Sequence, residues 1–292
     1  MSNLKKFFMN KNIIIRSSFG HEIFALWVAK LFNSKVFICP DKDSEEEYNT
    51  EAKKIRIQMS FFASGLETAP FSKKAETLAN GWDIVKDLRA GKLPGGLWKK
   101  LAKVSLRPTA TDGLPEYAQL QNRQNILVIM QKWLSDNGCG ITAKQQSLPV
   151  EVFGFLRKML QNLVFGQHFH KVNDLAGVEA VAKAYDMYVP GLSENPEVLG
   201  IRGILHAKYY NMYKALAGSV GIAGTHTWYL LAMFPETPQI ILYNRNGVED
   251  WEEIAEAMRK GGRKVWAVGF DENTDFSVLA KEIEEKYLEI FG

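Results

Sequence analysis

The sequence predicts an α/β fold in which parallel sheets are flanked by helices. Short runs of apolar, often β-branched residues alternate along the chain with segments whose apolar residues recur at helical spacing. Strands that are apolar throughout are typical of parallel sheets, because helices cover both faces of such sheets. No repeat of solenoid period and no low-complexity tract interrupts this alternation.

The chain opens with a predicted strand, helix and second strand. Residues 12–16 (NIIIR) and 35–39 (KVFIC) are the strands, and residues 21–32 (HEIFALWVAKLF) lie between them. The helix is indicated by apolar side chains that share one face, which are those of Ile23, Phe24, Trp27, Val28 and Leu31. Such a βαβ unit is the usual opening of a doubly wound sheet.

The next segment contains the predicted domain boundary. Residues 44–54 have the composition of an exposed helix, whereas residues 55–62 (IRIQMSFF) alternate like a strand. Further on, the patterns predict a helix over 72–90, a short helix or strand over 97–104 and a loop over 107–117. We place the crossing near residues 114–125, which predicts one domain over 1–120 and a second over 121–292.

The second domain alternates strands and helices more regularly. Its predicted strands include 126–130, 163–169, 187–189 and 264–270, and its predicted helices are 150–161, 175–185, 204–217, 249–260 and 276–290. The stretch 218–244 (GSVGIAGTHTWYLLAMFPETPQIILYN) adds a strand, a tight loop, a helix and another strand. The whole pattern predicts a parallel sheet covered by helices on both faces.

Composition excludes several classes of protein. The chain is 46% apolar and 24% charged, which is ordinary for a folded domain, and its formal charge of +3 is too small to indicate nucleic-acid binding. The two cysteines, Cys39 and Cys139, form no disulfide framework, so a cytoplasmic setting is expected. No segment has the length and apolarity of a membrane span or a signal peptide, although peripheral contact with a membrane stays open.

The loop of the 218–244 stretch is a candidate phosphate site. A loop at the carboxyl end of a strand, followed by a helix, presents free backbone N–H groups that favour an anion. The candidate phosphate-binding residues here are Gly224, Thr225, His226 and Thr227, with Tyr243 and Asn244 after the next strand. The alternative is that Thr225 is only the helix cap and that His226 is a packed side chain.

The first loop, SSFGHE, offers a candidate general base. His21 and Glu22 fall in the first turn of the predicted helix, and a helix N-terminus depresses the pKa of a histidine, which keeps it neutral and able to accept a proton. Alternatively, Glu22 balances the helix dipole and His21 is an exposed polar residue.

Other candidates are weaker. Lys132 and Arg202 are possible partners of a phosphate, although basic residues in loops are often only solvated. His168 and His170 share one face of a predicted strand, but no carboxylate or cysteine lies at ligand spacing, so we expect no protein-bound metal. The chain lacks the G-x-G-x-x-G fingerprint, the P-loop motif and the G-x-S-x-G elbow.

Two stretches resemble glycosyltransferases. IIIRSSFGHEIFALWVAKLF is similar to the opening of the family-nine glycosyltransferases, the bacterial ADP-heptose transferases of lipopolysaccharide assembly. In that family an Asp ahead of the first helix is the base, and here its position holds His21. The second stretch, SVGIAGTHTWYLLAMFPETPQIILYN, is similar to the donor-binding unit of GT-B glycosyltransferases. In the loop of this unit the family-nine enzymes have an Asp, which this chain lacks.

The resemblance implies two Rossmann-like domains in a GT-B-like arrangement, with the acceptor on the N-terminal domain and a nucleotide-sugar on the C-terminal domain. It implies metal-independent transfer of a sugar to a glycan, lipid-linked or other hydroxyl acceptor, with His21 or Glu22 as base. No cofactor is expected besides the nucleotide-sugar donor. A nucleotide-sugar 2-epimerase and a non-catalytic nucleotide-sugar-binding subunit remain alternatives.

Overall fold

The fold is that of a computed structural model of the chain. It describes residues 13–15, 21–73, 84, 86–88, 90, 96–112, 126–129, 163–166, 210–215, 217–223, 225–247, 250–271 and 273–291. The predicted boundary near residue 120 and the predicted elements 150–161, 175–185 and 187–189 lie outside these ranges. We refer to the described residues up to 112 as the N-terminal half and to those from 126 onward as the C-terminal half.

The N-terminal half contains a three-stranded parallel sheet of order β1-β2-β3. Its elements are β1 (Ile13–Ile15), α1 (His21–Phe32), β2 (Val36–Ile38), α2 (Glu45–Met59), β3 (Glu67–Thr68), a 3-10 turn (Phe71–Lys73) and α3 (Gly96–Leu101). The bounds of α1 are those predicted from its apolar spacing. The strand β3 was not predicted, because two residues carry no periodicity.

The prediction of a strand over 55–62 was wrong, since α2 continues through Met59 and a turn follows. The segment IRIQMSFF fits both periods. In the structure Ile55, Met59 and Phe62 are buried at helical spacing, whereas Ile57 is 59% exposed. The N-cap Ser44, whose hydroxyl accepts the N–H of Glu47, fixes the start of this helix and thereby its register.

The C-terminal half contains a five-stranded, fully parallel sheet of order β5-β4-β6-β7-β8. Its elements are β4 (Ile126–Ile129), β5 (Leu163–Gly166), α4 (Tyr210–Ala215), β6 (Gly218–Ile222), α5 (Thr225–Met233), β7 (Gln239–Asn244), α6 (Trp251–Lys260), β8 (Val265–Phe270) and α7 (Phe276–Phe291). The chain leaves β4 toward one edge and later returns to build the other. This order therefore has a topological switch point between β4 and β6.

Both faces of this sheet are covered. In β7 the side chains of Ile241 and Tyr243 belong to the core shared with the helices α5 and α6, and Ile240 and Leu242 point to the opposite face. On that opposite side α7 contacts β7 and β8. The mixed α/β architecture with parallel sheets flanked by helices is thus the architecture predicted from the sequence.

The helices of the two halves share one hydrophobic core, which we call the aromatic seam. It is built around five large side chains, those of Phe24 and Trp27 (α1), Trp98 (α3), Trp228 (α5) and Trp251 (α6), all of them buried. The rings of Trp98 and Trp228 stack with centroids 5.6 Å apart and planes 13° apart, and Trp228 and Trp251 lie 4.7 Å apart. Aromatic side chains contribute large buried areas, so the seam is a main source of cohesion between the halves.

Hydrogen bonds reinforce the aromatic seam at the end of α3. The buried guanidinium of Arg263 donates to the carbonyl of Ala102 at 2.5 Å and to that of Val104 at 2.8 Å, and the indole of Trp27 also donates to Val104 at 2.8 Å. Burial lowers the pKa of Arg263 to about 10. The group remains charged at neutral pH and ties two carbonyls of the N-terminal half to the C-terminal half.

Close backbone approach completes this contact. A Cβ at Gly261, the cap residue of α6, would lie 2.9 Å from the carbonyl oxygen of Lys99 and would meet the Cβ of Ala102. Only glycine therefore allows α6 to approach α3 this closely.

None of the helices in the described part of the chain is long and apolar enough to cross a membrane.

Candidate functional site

The candidate site lies at the carboxyl edge of the five-stranded sheet. The parallel register pairs Ile222 with Leu242 and Asn244 with Phe270, so the ends of β6, β7 and β8 meet at the same edge. Polar residues lie at two of these ends: Asn244 is the last residue of β7 and Arg245 follows it, and Asp271 follows β8. In open parallel sheets this edge, next to the switch point, is where ligands bind.

The loop after β6 leads from the switch point directly into α5. The N–H of Ala223 donates to the carbonyl of Leu242 at 2.7 Å, which extends the pairing of β6 with β7 by one residue. The helix then begins at Thr225 and runs for nine residues. Its first turn leaves backbone N–H groups without helical partners, and the helix dipole adds a partial positive charge there.

The predicted donor-binding residues of this loop are described to different degrees. Gly224 lies outside the described residues, while Thr225 and His226 are placed in the first turn of α5 by their backbone alone. The side chain of Thr227 is only 3% exposed and packs inside the protein. Of this group the structure therefore supports a helix start at the predicted position.

Tyr243, a predicted donor-binding residue, is buried just before the end of β7. Its hydroxyl donates to Oε1 of Glu252, in the first turn of α6, at 2.6 Å. Burial, followed by the hydrogen bond and charge of Glu252, raises the pKa of Tyr243 far above its usual value. The ring lies over Gly269, where a Cβ would come within 2.8 Å of it. This tyrosine is thus a fixed, neutral wall of the edge.

Asn244 shapes the turn that follows β7. Its side-chain oxygen accepts the N–H of Asn246 at 2.8 Å, and its backbone carbonyl accepts the N–H of Gly247 at 2.8 Å. Because one short side chain satisfies the turn locally, Arg245 is held at a defined position at the start of the turn. The role of Asn244 seen here is to position the chain.

Arg245 and Asp271 form an ion pair that sequence reasoning did not select. Nη1 of Arg245 lies 3.7 Å from Oδ2 of Asp271, and Asp271 accepts the N–H of Asn273 at 2.9 Å and the hydroxyl of Thr274 at 3.0 Å. The hydrogen bonds from Asn273 and Thr274, aided by Arg245, lower the pKa of Asp271. Arg245 thus places a half-exposed cation at the edge. The position of Arg245 immediately after a predicted strand is the sequence feature by which it could have been selected.

The remaining predicted residues are not brought into this geometry by the described structure. His21 is the first and Glu22 the second residue of α1, and their side chains are not described. Lys132 and Arg202 lie outside the described residues, as do His168 and His170. Within the described ranges, no group of three or more His, Cys, Asp or Glu side chains is placed to hold a metal ion.

What the structure brings together is therefore a helix start, a neutral tyrosine wall and a basic residue at the switch-point edge of a parallel sheet. This arrangement can hold an anion attached to a larger group. No family model matches the chain, and neither the curated proteins nor the solved structures contain a significant match to it.

Proposed function

We propose that the protein is a glycosyltransferase that moves a sugar from a nucleotide-sugar donor to a hydroxyl acceptor. The observation that carries the proposal is the start of α5 at the switch point of the five-stranded sheet, where a strand-loop-helix unit presents N–H groups. A diphosphate placed there would be stabilised by the helix dipole. The similarity of this stretch to GT-B donor sites selects a nucleotide-sugar among the phosphate-bearing ligands.

The leaving diphosphate gains charge as the bond to the sugar breaks. Backbone N–H groups and basic side chains stabilise that charge without a metal ion, because they are aimed at the position where it develops. In this proposal Arg245, Lys132 and Arg202 supply the cations, and residues 224–227 supply the backbone donors. Tyr243 forms a wall beside the nucleotide, since its hydroxyl is already engaged by Glu252.

The acceptor side belongs to the N-terminal domain, over residues 1–120, in a GT-B-like pair of Rossmann-like domains with the second over 121–292. His21, or alternatively Glu22, takes the proton from the acceptor hydroxyl. The oxygen attacks the anomeric carbon, and the bond to the diphosphate breaks. The acceptor is a glycan, a lipid-linked sugar or another alcohol. We place the reaction in the cytoplasm, with peripheral membrane contact where the acceptor is lipid-linked.

A thermal-shift titration tests the donor site. ADP, UDP, GDP and CMP are added separately, together with their sugars. One nucleotide at a hundred times its Kd should stabilise the fold by about 2.7 kcal/mol, which corresponds to roughly 4–5 °C in Tm for a chain of this length. Arg245→Ala should reduce the shift, whereas Lys260→Ala, an exposed residue of α6 paired with Glu256, should not. If none of these nucleotides or nucleotide-sugars raised the Tm, the proposed donor site would be contradicted.

A second measurement addresses the base. With the donor identified, the variants His21→Ala and Glu22→Ala and the double variant are assayed for transfer. Loss of a general base lowers the rate by about 100- to 10,000-fold. If the double variant transferred sugar at the wild-type rate, the assignment of the base would be wrong even if the donor site stood.

A further inference from the structure

A second concave surface lies in the N-terminal half. It is an open groove of about 940 Å³ between one face of α2, the turn that follows α2 and the outer edge of β3. We call it the α2 groove. Residues 49, 52, 53, 56, 57 and 60 of the lining follow helical spacing, so the groove runs lengthwise along α2. Its volume is within the range of ligand sites.

The charge of the α2 groove is positive. Lys53 and Arg56 lie on the lining, and none of the lining residues, all of which are described, is acidic. Both side chains are exposed on neighbouring turns of α2. The nearby Lys54, by contrast, forms an ion pair with Glu51 at 3.6 Å and is not part of the lining. Two cations without a lining carboxylate favour an anionic ligand.

Two of the four hydroxyl side chains that line the α2 groove, those of Ser60 and Thr109, are oriented as acceptors toward a ligand. The hydroxyl of Ser60 donates to the carbonyl of Ile57 at 2.7 Å, and that of Thr109 donates to the carbonyl of Ser60 at 2.6 Å. Because each hydroxyl has one proton and two lone pairs, these oxygens retain only acceptor capacity. A ligand that pairs with them has to supply donors such as O–H groups.

Apolar surface is present in the same groove. Ile57 is 59% exposed and lines it, together with the half-buried Leu66. A ligand that combines anionic groups, several hydroxyl donors and C–H surface satisfies all three features. Carbohydrates that carry phosphate or carboxylate have this composition on every sugar unit, whereas an acidic peptide carries its donors as backbone N–H groups set apart from its charged side-chain ends.

We propose that the α2 groove binds an acidic carbohydrate, with Lys53 and Arg56 pairing the anionic groups and Ser60 and Thr109 accepting from the hydroxyls. The groove lies on a different sheet from the proposed nucleotide site. The inference therefore goes beyond the sugar-transfer proposal and does not depend on it.

The test is a fluorescence-anisotropy titration of the full chain, without nucleotide, against a labelled oligomer of galacturonic acid. A neutral glucose oligomer and a glutamate oligomer of equal length are the comparison probes, and glucose 6-phosphate serves as a competitor. We expect the acidic sugar oligomer to bind more tightly than both others. Competition by glucose 6-phosphate would assign the groove to sugar phosphates, and its absence would assign it to acidic glycan chains.

The matched variants carry the same change in charge. Lys53→Ala with Arg56→Ala should weaken binding about tenfold or more, because two charge-assisted contacts are lost. Lys54→Ala with Lys260→Ala, which removes two exposed cations outside the groove, should change binding less than twofold. Equal binding by both double variants would overturn the proposal. So would no binding of any acidic sugar, or binding of the glutamate oligomer at equal strength.

Discussion

The two halves of the molecule use the same elements in different proportions. The N-terminal sheet has three strands of two or three residues each, whereas the C-terminal sheet has five strands, two of which are six residues long. Short ladders contribute little stability of their own. The N-terminal half instead packs α1 and α3 against α5 and α6 of the other half. Its fold therefore depends on the aromatic seam more than on its sheet.

Among the variants that test this difference, Trp228→Ala is expected to have the largest effect on stability. Trp228 contacts Phe24, Trp98 and Trp251, so its loss leaves a cavity between the halves. We expect the free energy of unfolding to fall by about 3–5 kcal/mol, measured by urea denaturation. Trp266→Ala is the control, because Trp266 is partly exposed on β8, and its effect should be smaller.

The same experiment distinguishes one cooperative unit from two. If the halves unfold together, far-ultraviolet circular dichroism should show a single transition for the wild type. Two separate transitions in the wild type would contradict the dependence of the N-terminal half on the seam.

Arg263→Lys should have the next largest effect. Lysine keeps the charge but loses the planar fork that reaches both Ala102 and Val104. We expect a loss of about 2–3 kcal/mol, because a buried cation and a carbonyl are left with poorer partners. Arg259→Lys is the control, since the hydrogen bond of Arg259 to the carbonyl of Val265 and its contact with the ring of Trp266 both lie within its own half. If both variants lost equal stability, the hydrogen bonds between the halves would contribute no more to the free energy of unfolding than one within a half.

The smallest effects on stability are expected from replacing two glycines by alanine, and the two replacements should have opposite signs. Gly261→Ala should cost about 1–3 kcal/mol, because the added methyl group collides with α3. Gly96→Ala, at the start of α3, meets no atom within 4 Å and should be neutral or raise stability by about 0.5 kcal/mol. Thermal denaturation of both variants gives the comparison. A neutral Gly261→Ala would mean that α3 and α6 are not closely packed.

Much of this architecture follows from local sequence patterns. The helix α1 has its predicted bounds, and the residues that predicted it, Ile23, Phe24, Trp27 and Val28 among them, are buried. The strands β7 and β8 were predicted because continuous apolar runs mark covered parallel strands. The segment IRIQMSFF failed because its apolar residues satisfy both the strand and the helix period. The N-cap at Ser44 and the tertiary contacts of Ile55, Met59 and Phe62 together decide for the helix.

The carboxyl edge of the five-stranded sheet could be located from the sequence, but the contacts made there could not. Loops after parallel strands can be located from sequence, which is why Tyr243 and Asn244 were named. Their hydrogen bonds to Glu252 and Asn246 depend on how α6 and the turn are folded. The hydrogen bond from Arg263 to Ala102 joins residues far apart in the chain, so no local sequence pattern could predict it.

The stacked indoles of Trp98 and Trp228 have one more consequence. Each half contributes one ring, so the pair is a built-in optical reporter of their contact. Near-ultraviolet circular dichroism responds to fixed aromatic packing and disappears when that packing is lost. Any ligand that draws the halves apart would therefore change this signal in the unlabelled protein.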